Sequence, residues 1–398
     1  MFLSGQGGTG KSYLIRHICE DATKNKTVFH VAAMTGAAAQ LLEGCKATTV
    51  HRFAGIGIGD DMFARATQNK HTVARWRKAS LLICDEVSMM SLNLFEELDR
   101  IGKHIRKSPR PFGGLQLLFS GDFCQLPPVG ETEQFCFESP LWAAAFPFSV
   151  VLTSMHRQKD PVFCKILQEI RDGKLSKASN AQLVSLVRPS TGVTRLVPTR
   201  SKADAINAFE YSELKGEERV FETRDIQDYE MNAAKTFERK RFSAAQVYAE
   251  IERMRDLRFV PILKLKVGTR VMCNSNIDTA ICNGSQGVVV RFAGEHPVVK
   301  YTTGVERIMW PVSVESDTIP GVAVSQVPLM YAWAITIHKA QGASLDCAEI
   351  DIGKDIFEIG QTYVALSRLR SMEGLYLTSF DASKIRISSK VVAFYQSL

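Results

Sequence analysis

Gly5-Gln6-Gly7-Gly8-Thr9-Gly10-Lys11-Ser12 satisfies the pattern G-x-x-x-x-G-K-[ST] at every fixed position, between a short apolar entry (Phe2, Leu3) and a run at helical spacing (Leu14, Ile15, Ile18, Cys19). In that setting glycines let backbone N–H groups turn onto phosphate oxygens, and the helix N-terminus adds its dipole. Lys11 is placed to bridge terminal phosphates and the Ser12 hydroxyl to ligate Mg²⁺. Gly5, Gly7, Gly8, Thr9, Gly10, Lys11 and Ser12 are therefore the candidate nucleotide cradle. Asp85-Glu86 closes the apolar run Leu81–Cys84. A carboxylate at a strand end beside a phosphate loop can hold the metal, the role given to Asp85; its neighbour Glu86 can orient or deprotonate water. Alone, Asp-Glu after a strand reads as a solvated turn, and the upstream phosphate loop reverses that reading.

Gln125 lies in Gly121-Asp122-Phe123-Cys124-Gln125-Leu126-Pro127-Pro128, after another apolar run, and could bond the γ-phosphate or the attacking water. Arg157 (in His156-Arg157-Gln158) and Arg368 (ending Tyr363–Arg368) have the loop-edge setting of arginine fingers. Both fall in a second α/β block, so they are expected to reach the phosphates only across a domain interface.

These residues need a scaffold that gathers strand ends. Strand signals at Val28–Ala33, Leu81–Cys84 and Leu115–Phe119 alternate with helical ones at Ala37–Leu42 and Phe95–Ile105. That alternation predicts a parallel sheet flanked by helices, with a ligand crevice at the carboxyl ends of its strands. A second alternating series starts near Val150, with helices around Val162–Ile170 and Ala203–Leu214 and a strand at Arg195–Val197. Residues 215–258 are highly charged (Glu238, Arg239, Lys240 and Arg241 among them) and read as exposed helix. From Val267 to Trp310, short strands broken by Asn283-Gly284, Gly287, Gly294 and Gly304 predict an inserted antiparallel β unit of SH3-barrel size. The α/β pattern returns at Leu329–Ile337 and ends on a strand at Leu375–Thr378.

Composition narrows the setting. Of 398 residues, 45% are hydrophobic and 23% charged, which is globular rather than disordered. No apolar stretch approaches the ~20 residues of a membrane span, no targeting signal is visible, and no membrane partner is expected. The net charge of +7 permits a polyanionic partner without requiring one. The nine cysteines form no C-x-x-C pair, so free thiols in a reducing, intracellular compartment are expected.

Taken in order, the motifs resemble the superfamily 1 helicases of the Pif type, with RecD-like helicases as more distant relatives. Gly5–Ser12 resembles motif I, Thr35–Ala39 motif Ia, and Thr49–Gly55 the T-x-H-x-F-A-G segment that follows it. Asp85–Met89 is similar to the DEVSM form of motif II, Gly121–Val129 to GDFxQLPPV of motif III, and His156–Gln158 to motif IV. Asn283–Gly287 resembles the family's NGxxG element, Ala334–Gly342 motif V and Tyr363–Arg368 motif VI, so the resemblance covers nearly the whole chain.

The resemblance implies two RecA-like P-loop NTPase domains with ATP between them: 1–150, then 151–265 with 325–398. It also implies an SH3-like β-barrel insert at 266–324 and a duplex-splitting wedge near 130–145 (Phe137, Trp142). It adds Gln341 and Gly342 to the nucleotide-binding set and implies strand contacts by Thr35, His51, Phe53 and His338. Bottom-up, Phe53 could equally be a core phenylalanine, and the two histidines could make structural hydrogen bonds. The implied activity is ATP- and Mg²⁺-dependent 5′-to-3′ unwinding by a monomer that holds single-stranded DNA and single-strand/duplex junctions. Candidate substrates include G-quadruplexes and RNA–DNA hybrids. The implied setting is DNA replication, repair, recombination or telomere maintenance; the compartment is the nucleus or mitochondrion if the source is eukaryotic, and a viral or bacterial source stays open. In this family an adenine-reading segment precedes the first strand; this chain begins at that strand, so loose base selectivity is expected. Two other readings stay open: a strand-binding module whose ATPase switches affinity, and a subunit that needs a partner.

Overall fold

A computed structural model describes residues 1–42, 44–56, 61–128, 134–188, 190, 192–232, 235–236, 239–240, 242–258, 261–275, 277–278, 280–281, 284–316 and 319–398. Val129, the first residues of the expected wedge (130–133), Glu238, Arg241 and Asn283 lie outside the described residues. The chain forms two compact units, Met1–Arg200 with Thr336–Leu398, and Ser201–Ile335.

In the first unit, β1 (Phe2–Gly5) leads into helix α1 (Lys11–Lys24), and β2 (Phe29–Ala33) into α2 (Gly36–Leu41). β3 (Thr48–Thr49) is followed by α3 (Val50–Ala54), α4 (Met62–Gln68) and α5 (Lys70–Lys78). β4 (Leu81–Asp85) precedes α6 (Leu92–Arg106), and β5 (Gln116–Gly121) and β6 (Ser149–Leu152) complete the set. The six strands form one sheet in the order β3-β2-β4-β5-β1-β6, and every pairing is parallel. β6 runs past the expected boundary at 150 and belongs to this sheet, beside β1.

β1 and β4 are buried along their whole length, as interior strands of a covered parallel sheet must be. Ile15, Cys19 and Ala22 on α1 recur every three or four residues and bury one helical stripe. On α6, Ser91 caps the first turn by accepting the Leu94 N–H, and Leu94, Phe95, Leu98, Ile101 and Ile105 face inward. A Cβ on Gly102 of this helix would stand 2.8 Å from the Phe112 backbone, so only glycine admits that close crossing.

Three further parallel strands, Arg195–Val197, Ala348–Ile352 and Leu375–Phe380, lie in the same unit, with helices Pro161–Arg171, Lys177–Ser185 and Gln361–Leu366. The first unit is thus α/β throughout its two sheets.

The second unit is built differently. Arg270–Cys273, Gln286–Ala293, His296–Tyr301, Glu306–Ile308 and Leu329–Tyr331 make a five-stranded antiparallel sheet around Val271, Val289, Val299 and Leu329. Leu329–Tyr331 therefore belongs to the antiparallel β unit, not to a returning α/β pattern, because it pairs with Arg270–Cys273. The charged stretch 215–258 also departs from the expected exposed helix. It holds two short strands, Arg219–Glu222 and Arg224–Gln227, before a helix at Ala244–Arg258. That helix buries Val247, Ile251 and Met254 against Ile319, Val322 and Val324, a stripe its charges obscured.

Candidate active site

The phosphate loop turns out of β1 and into α1 through residues that only glycine tolerates. Gly8 (φ 97) and Gly10 (φ 93) take left-handed conformations, and a Cβ on Gly8 would stand 2.7 Å from the Arg157 Cβ. Lys11 Nζ donates to the carbonyls of Gly5 (2.6 Å) and Gln6 (3.0 Å), which holds the ammonium inside the loop. Burial lowers the Lys11 pKa, while Asp122, Glu86 and Asp85 work in the opposite direction.

Asp85 ends β4 and is buried, and the Ser12 hydroxyl donates to its Oδ2 over 3.4 Å. Two hard oxygen donors this close, one a carboxylate, fit Mg²⁺, which binds oxygen ligands. Ser12 and Asp85 would hold the ion, and bound there it would neutralise phosphate charge.

Glu86 sits at φ 55, ψ 41, a left-handed conformation rare outside glycine, and accepts a hydrogen bond from Gln341 Nε2 at 3.2 Å. Burial and then the neighbouring Asp85 push its pKa up, against the pull of Lys11 and Arg368. A carboxylate so raised is a better proton acceptor. Gln125 is buried, and its Oε1 has no hydrogen-bond partner among the described residues. An orphaned acceptor here fits a water or ligand donor.

Arg157 and Arg368 meet this loop directly. The N–H groups of His156 and Arg157 both donate to Gly8 O, at 2.9 and 3.2 Å. Arg157 Nη1 donates to Ser367 O (2.9 Å), and Arg368 donates to Val364 O (2.8 Å) and Ser367 Oγ (2.7 Å). A Cβ on Gly7 would lie 3.4 Å from Arg368 Nη2. Burial, then Arg157, pushes the Arg368 pKa down to about 9, which leaves it cationic at neutral pH. Lys11, Asp85, Glu86, Gln125, Arg157 and Arg368 line one cavity of about 730 Å³, and Gly342 lines it too. The two arginines and the loop lie in a single compact unit, with Arg368 Nη2 beside Gly7 and the Arg157 Cβ beside Gly8.

A second group of residues at this site carries no role in the sequence reading. Asp122 is fully buried and receives Arg171 through two nitrogens (3.2 and 3.0 Å), Tyr363 (3.2 Å) and Tyr395 (3.1 Å). Burial opposes its charge, but Arg171, Lys11 and the Cys124 N–H together leave its pKa below the ordinary value. Tyr363 in turn accepts the Gly7 N–H at 3.0 Å. A charged residue directly after a buried strand was the available signal for Asp122. Arg171, one of many basic residues, offered none.

Thr35, just after the carboxyl end of β2, caps α2 by accepting the Ala38 N–H (3.1 Å). His51 and His338 are half-buried, and desolvation lowers both pKa values. His338 stacks against the exposed Phe357 with ring centroids 6.0 Å apart. Phe53 departs from its expected role. It is only 2% exposed, between His30 and Trp76 (centroids 5.3 and 4.9 Å), because its position in α3 faces the core, and it offers no face to a base. The expected wedge aromatics pack among other rings, Trp142 buried and Phe137 half-buried. Trp142 is buried against Phe2, Phe95 and Phe146, and Phe137 stacks on Phe394 at 4.3 Å.

Comparison with known proteins joins this geometry to a family. Residues 1–181 match a family described as PIF1-like helicase, and residues 260–292 match one described as DNA helicase Pif1, 2B domain. The ATP-dependent DNA helicase PIF1 of Rattus norvegicus is 35% identical over 418 residues, covering 100% of this chain and 61% of the rat protein. The chain thus spans about three-fifths of the length of the curated relatives it matches. The crystal structure of Pif1 helicase from Candida albicans superposes with a TM-score of 0.79 at 32% identity, covering 100% of this chain and 94% of that one. Pif1 helicase from Bacteroides in complex with ADP-AlF3 and ssDNA gives a TM-score of 0.71 at 26% identity, covering 100% and 92%. With its motifs in family order and its whole length matched, this chain belongs to the PIF1-like helicase family.

Proposed function

We propose that the chain hydrolyses ATP to move 5′ to 3′ along single-stranded DNA and unwinds duplex or structured DNA ahead of it. The observation that carries the reading is the cavity in which Lys11, Asp85 and Glu86 face Arg157 and Arg368. Phosphoryl transfer asks little covalent chemistry of a protein; it asks for positioning and for charge placed where charge develops. Lys11 holds the terminal phosphates, and Glu86, kept basic by burial, takes the proton of the attacking water. Gln125 Oε1 orients that water. Arg157 and Arg368 neutralise the equatorial oxygens, where negative charge grows in the transition state.

The sheet β1–β6 then serves as one RecA-like half. The strands Arg195–Val197, Ala348–Ile352 and Leu375–Phe380 serve as the second, and the five-stranded antiparallel sheet as the SH3-like insert. Because the arginines enter on segments that follow β6, hydrolysis is sensitive to how the halves close, and closure coupled to strand grip produces movement. Thr35, His51 and His338 remain the proposed strand contacts. The likeness to Pif1 from Bacteroides in complex with ADP-AlF3 and ssDNA supports both the nucleotide and the strand.

The test is unwinding by the purified chain on duplexes with either a 5′ or a 3′ single-stranded tail, with and without Mg²⁺. ATP- and Mg²⁺-dependent unwinding of the 5′-tailed duplex alone is expected. Unwinding of the 3′-tailed duplex alone would refute the direction, and nucleotide-dependent binding without unwinding would leave an affinity switch.

A further inference from the structure

A second cavity, of about 450 Å³, opens at the other end of the first sheet, lined by Arg77, Arg106, Lys107, Ser108, Arg110 and Gly113, together with Ile105. Arg77 precedes β4 by four residues, and Gly113 precedes β5 by three. This places the cavity at the amino ends of those strands, whereas Asp85 and the phosphate loop lie at the carboxyl ends. The nucleotide site and this cavity are therefore on opposite edges of one sheet.

Residues 70–78 read KHTVARWRK and residues 100–110 read RIGKHIRKSPR, with nine lysines and arginines and no aspartate or glutamate in either stretch. That exceeds the net charge of the whole chain, +7, so the remainder of the protein is slightly acidic and the positive field is concentrated here. Carboxylates from outside the stretches neutralise Arg100 (by Glu97) and Lys103 (by Asp99). None pairs with Arg77, Arg106, Lys107 or Arg110 among the described residues.

The bland reading is that these arginines only cap carbonyls. It accounts for part of the geometry: Arg106 donates to Gly113 O (3.1 Å), Trp76 O (2.6 Å) and Ala79 O (2.8 Å), and Arg77 Nε to Ile105 O (3.2 Å). These bonds fix the two guanidiniums and cover carbonyls at the C-terminal ends of α5 and α6 that would otherwise repel an anion. They leave Arg106 Nη2 and both Arg77 Nη atoms without a protein partner among the described residues. Lys107 adds its charge from a left-handed residue (φ 51) at the C-cap of α6, a position that usually falls to glycine or asparagine.

We infer that this cavity binds phosphodiester groups of duplex nucleic acid. Guanidinium forks suit phosphate oxygens bidentately. The lining carries no aromatic ring for unstacked bases, which single-strand sites use. A site made only of cations reads backbone, and a duplex presents the denser row of phosphates. A motor gripping a single strand at one edge of the sheet would thereby hold adjoining duplex at the other. The inference rests on the reading that the chain handles DNA, and oligothymidylate-stimulated ATP hydrolysis tests that reading separately.

The experiment uses the full chain saturated with short oligothymidylate and titrates a labelled blunt-ended duplex by fluorescence anisotropy. The protein with Arg77→Gln, Lys107→Gln and Arg110→Gln combined is compared with wild type. These side chains are exposed; Arg77 gives up only its single bond to Ile105 O, and Arg106, which braces three backbone carbonyls, is left intact. Duplex affinity should fall at least about tenfold near 0.1 M salt, and the log–log salt slope should drop by roughly 0.9 for each phosphate that the variant no longer neutralises. Stimulated ATP hydrolysis and the melting temperature should stay as in wild type. A control protein with the exposed Lys174, Lys177 and Arg188 changed to Gln should bind duplex normally. Unchanged duplex affinity in the triple variant overturns the inference, as does an equal loss in the control. Binding of a phosphoserine peptide in place of duplex, lost in the variant, overturns it too and assigns the cavity to a phosphoprotein.

Discussion

The Tyr363 hydroxyl accepts the Gly7 N–H of the phosphate loop at 3.0 Å and donates to Asp122 at 3.2 Å. Burial, then Asp122, holds its pKa far above the ordinary value, so it keeps the proton it donates. One oxygen therefore ties the nucleotide loop to the carboxylate that follows β5. Tyr363→Phe should leave a buried N–H and a buried carboxylate each short of a partner, a cost of ~1–3 kcal/mol. Thermal melting should show that loss, and nucleotide titration should show weaker ATP binding. An unchanged melt would mean that water replaces the hydroxyl.

Asp122 and Arg171 form a buried pair with side-chain exposures of 0% and 12%. Arg171→Ala should cost about 3–5 kcal/mol, because it strands a buried charge. The folded-state pKa of Asp122 lies below its unfolded value, so its contribution is present above the ordinary aspartate range and is lost as pH falls through the folded pKa. Acid titration of stability should therefore differ between wild type and Asp122→Asn above that range and converge at lower pH.

Glu86 has the opposite sign. Its folded pKa is raised, so the fold takes up a proton more readily than the unfolded chain, and stability declines as pH rises from the ordinary glutamate value to the folded one. Glu86→Gln should raise the melting temperature at neutral pH, and the difference should close toward pH 4. The same variant should bind nucleotide and fail to hydrolyse it, since Asp85 and Ser12 remain. In wild type, the acid limb of the rate profile should lie above the ordinary carboxylate range.

Lys11→Ala removes the ammonium held by Gly5 O and Gln6 O. Hydrolysis should disappear while DNA binding without nucleotide persists. Wild-type turnover in this variant would remove Lys11 from the site.

Arg157→Ala and Arg368→Ala should lower stimulated turnover by roughly 10³–10⁵. Nucleotide and DNA affinity should stay within about tenfold, since the charge they neutralise is larger in the transition state than in bound ATP. Lysine should rescue neither position, lacking the planar fork. Steady-state hydrolysis beside binding titrations checks this, and near-normal turnover in both variants would sink the two-arginine mechanism.

Chain order is enough to settle the chemistry that depends on neighbours in sequence. Gly5–Ser12 must form a phosphate loop because its glycines and its lysine act through the backbone of one turn. Asp85, Glu86 and Gln125 were legible because buried strands deliver their carboxyl ends to one edge. Arg157 and Arg368 were recognisable by motif, but their meeting with Gly7 and Gly8 is a distance between segments about 150 to 360 residues apart in the chain, which no local pattern encodes. Whether an aromatic faces water or core was set by packing alone. Phe53, Phe137 and Trp142 have the composition of stacking or wedge residues and are packed among other rings, because burial depends on what lies opposite a residue rather than on its type. Packing also set the fate of residues 244–258, where a valine, an isoleucine and a methionine find a sheet to cover despite the charges between them. Neither the Asp122–Arg171–Tyr363 network nor the cluster of uncompensated cations at the amino ends of β4 and β5 could be read in advance. A charge is paired or left open only by neighbours that folding brings to it.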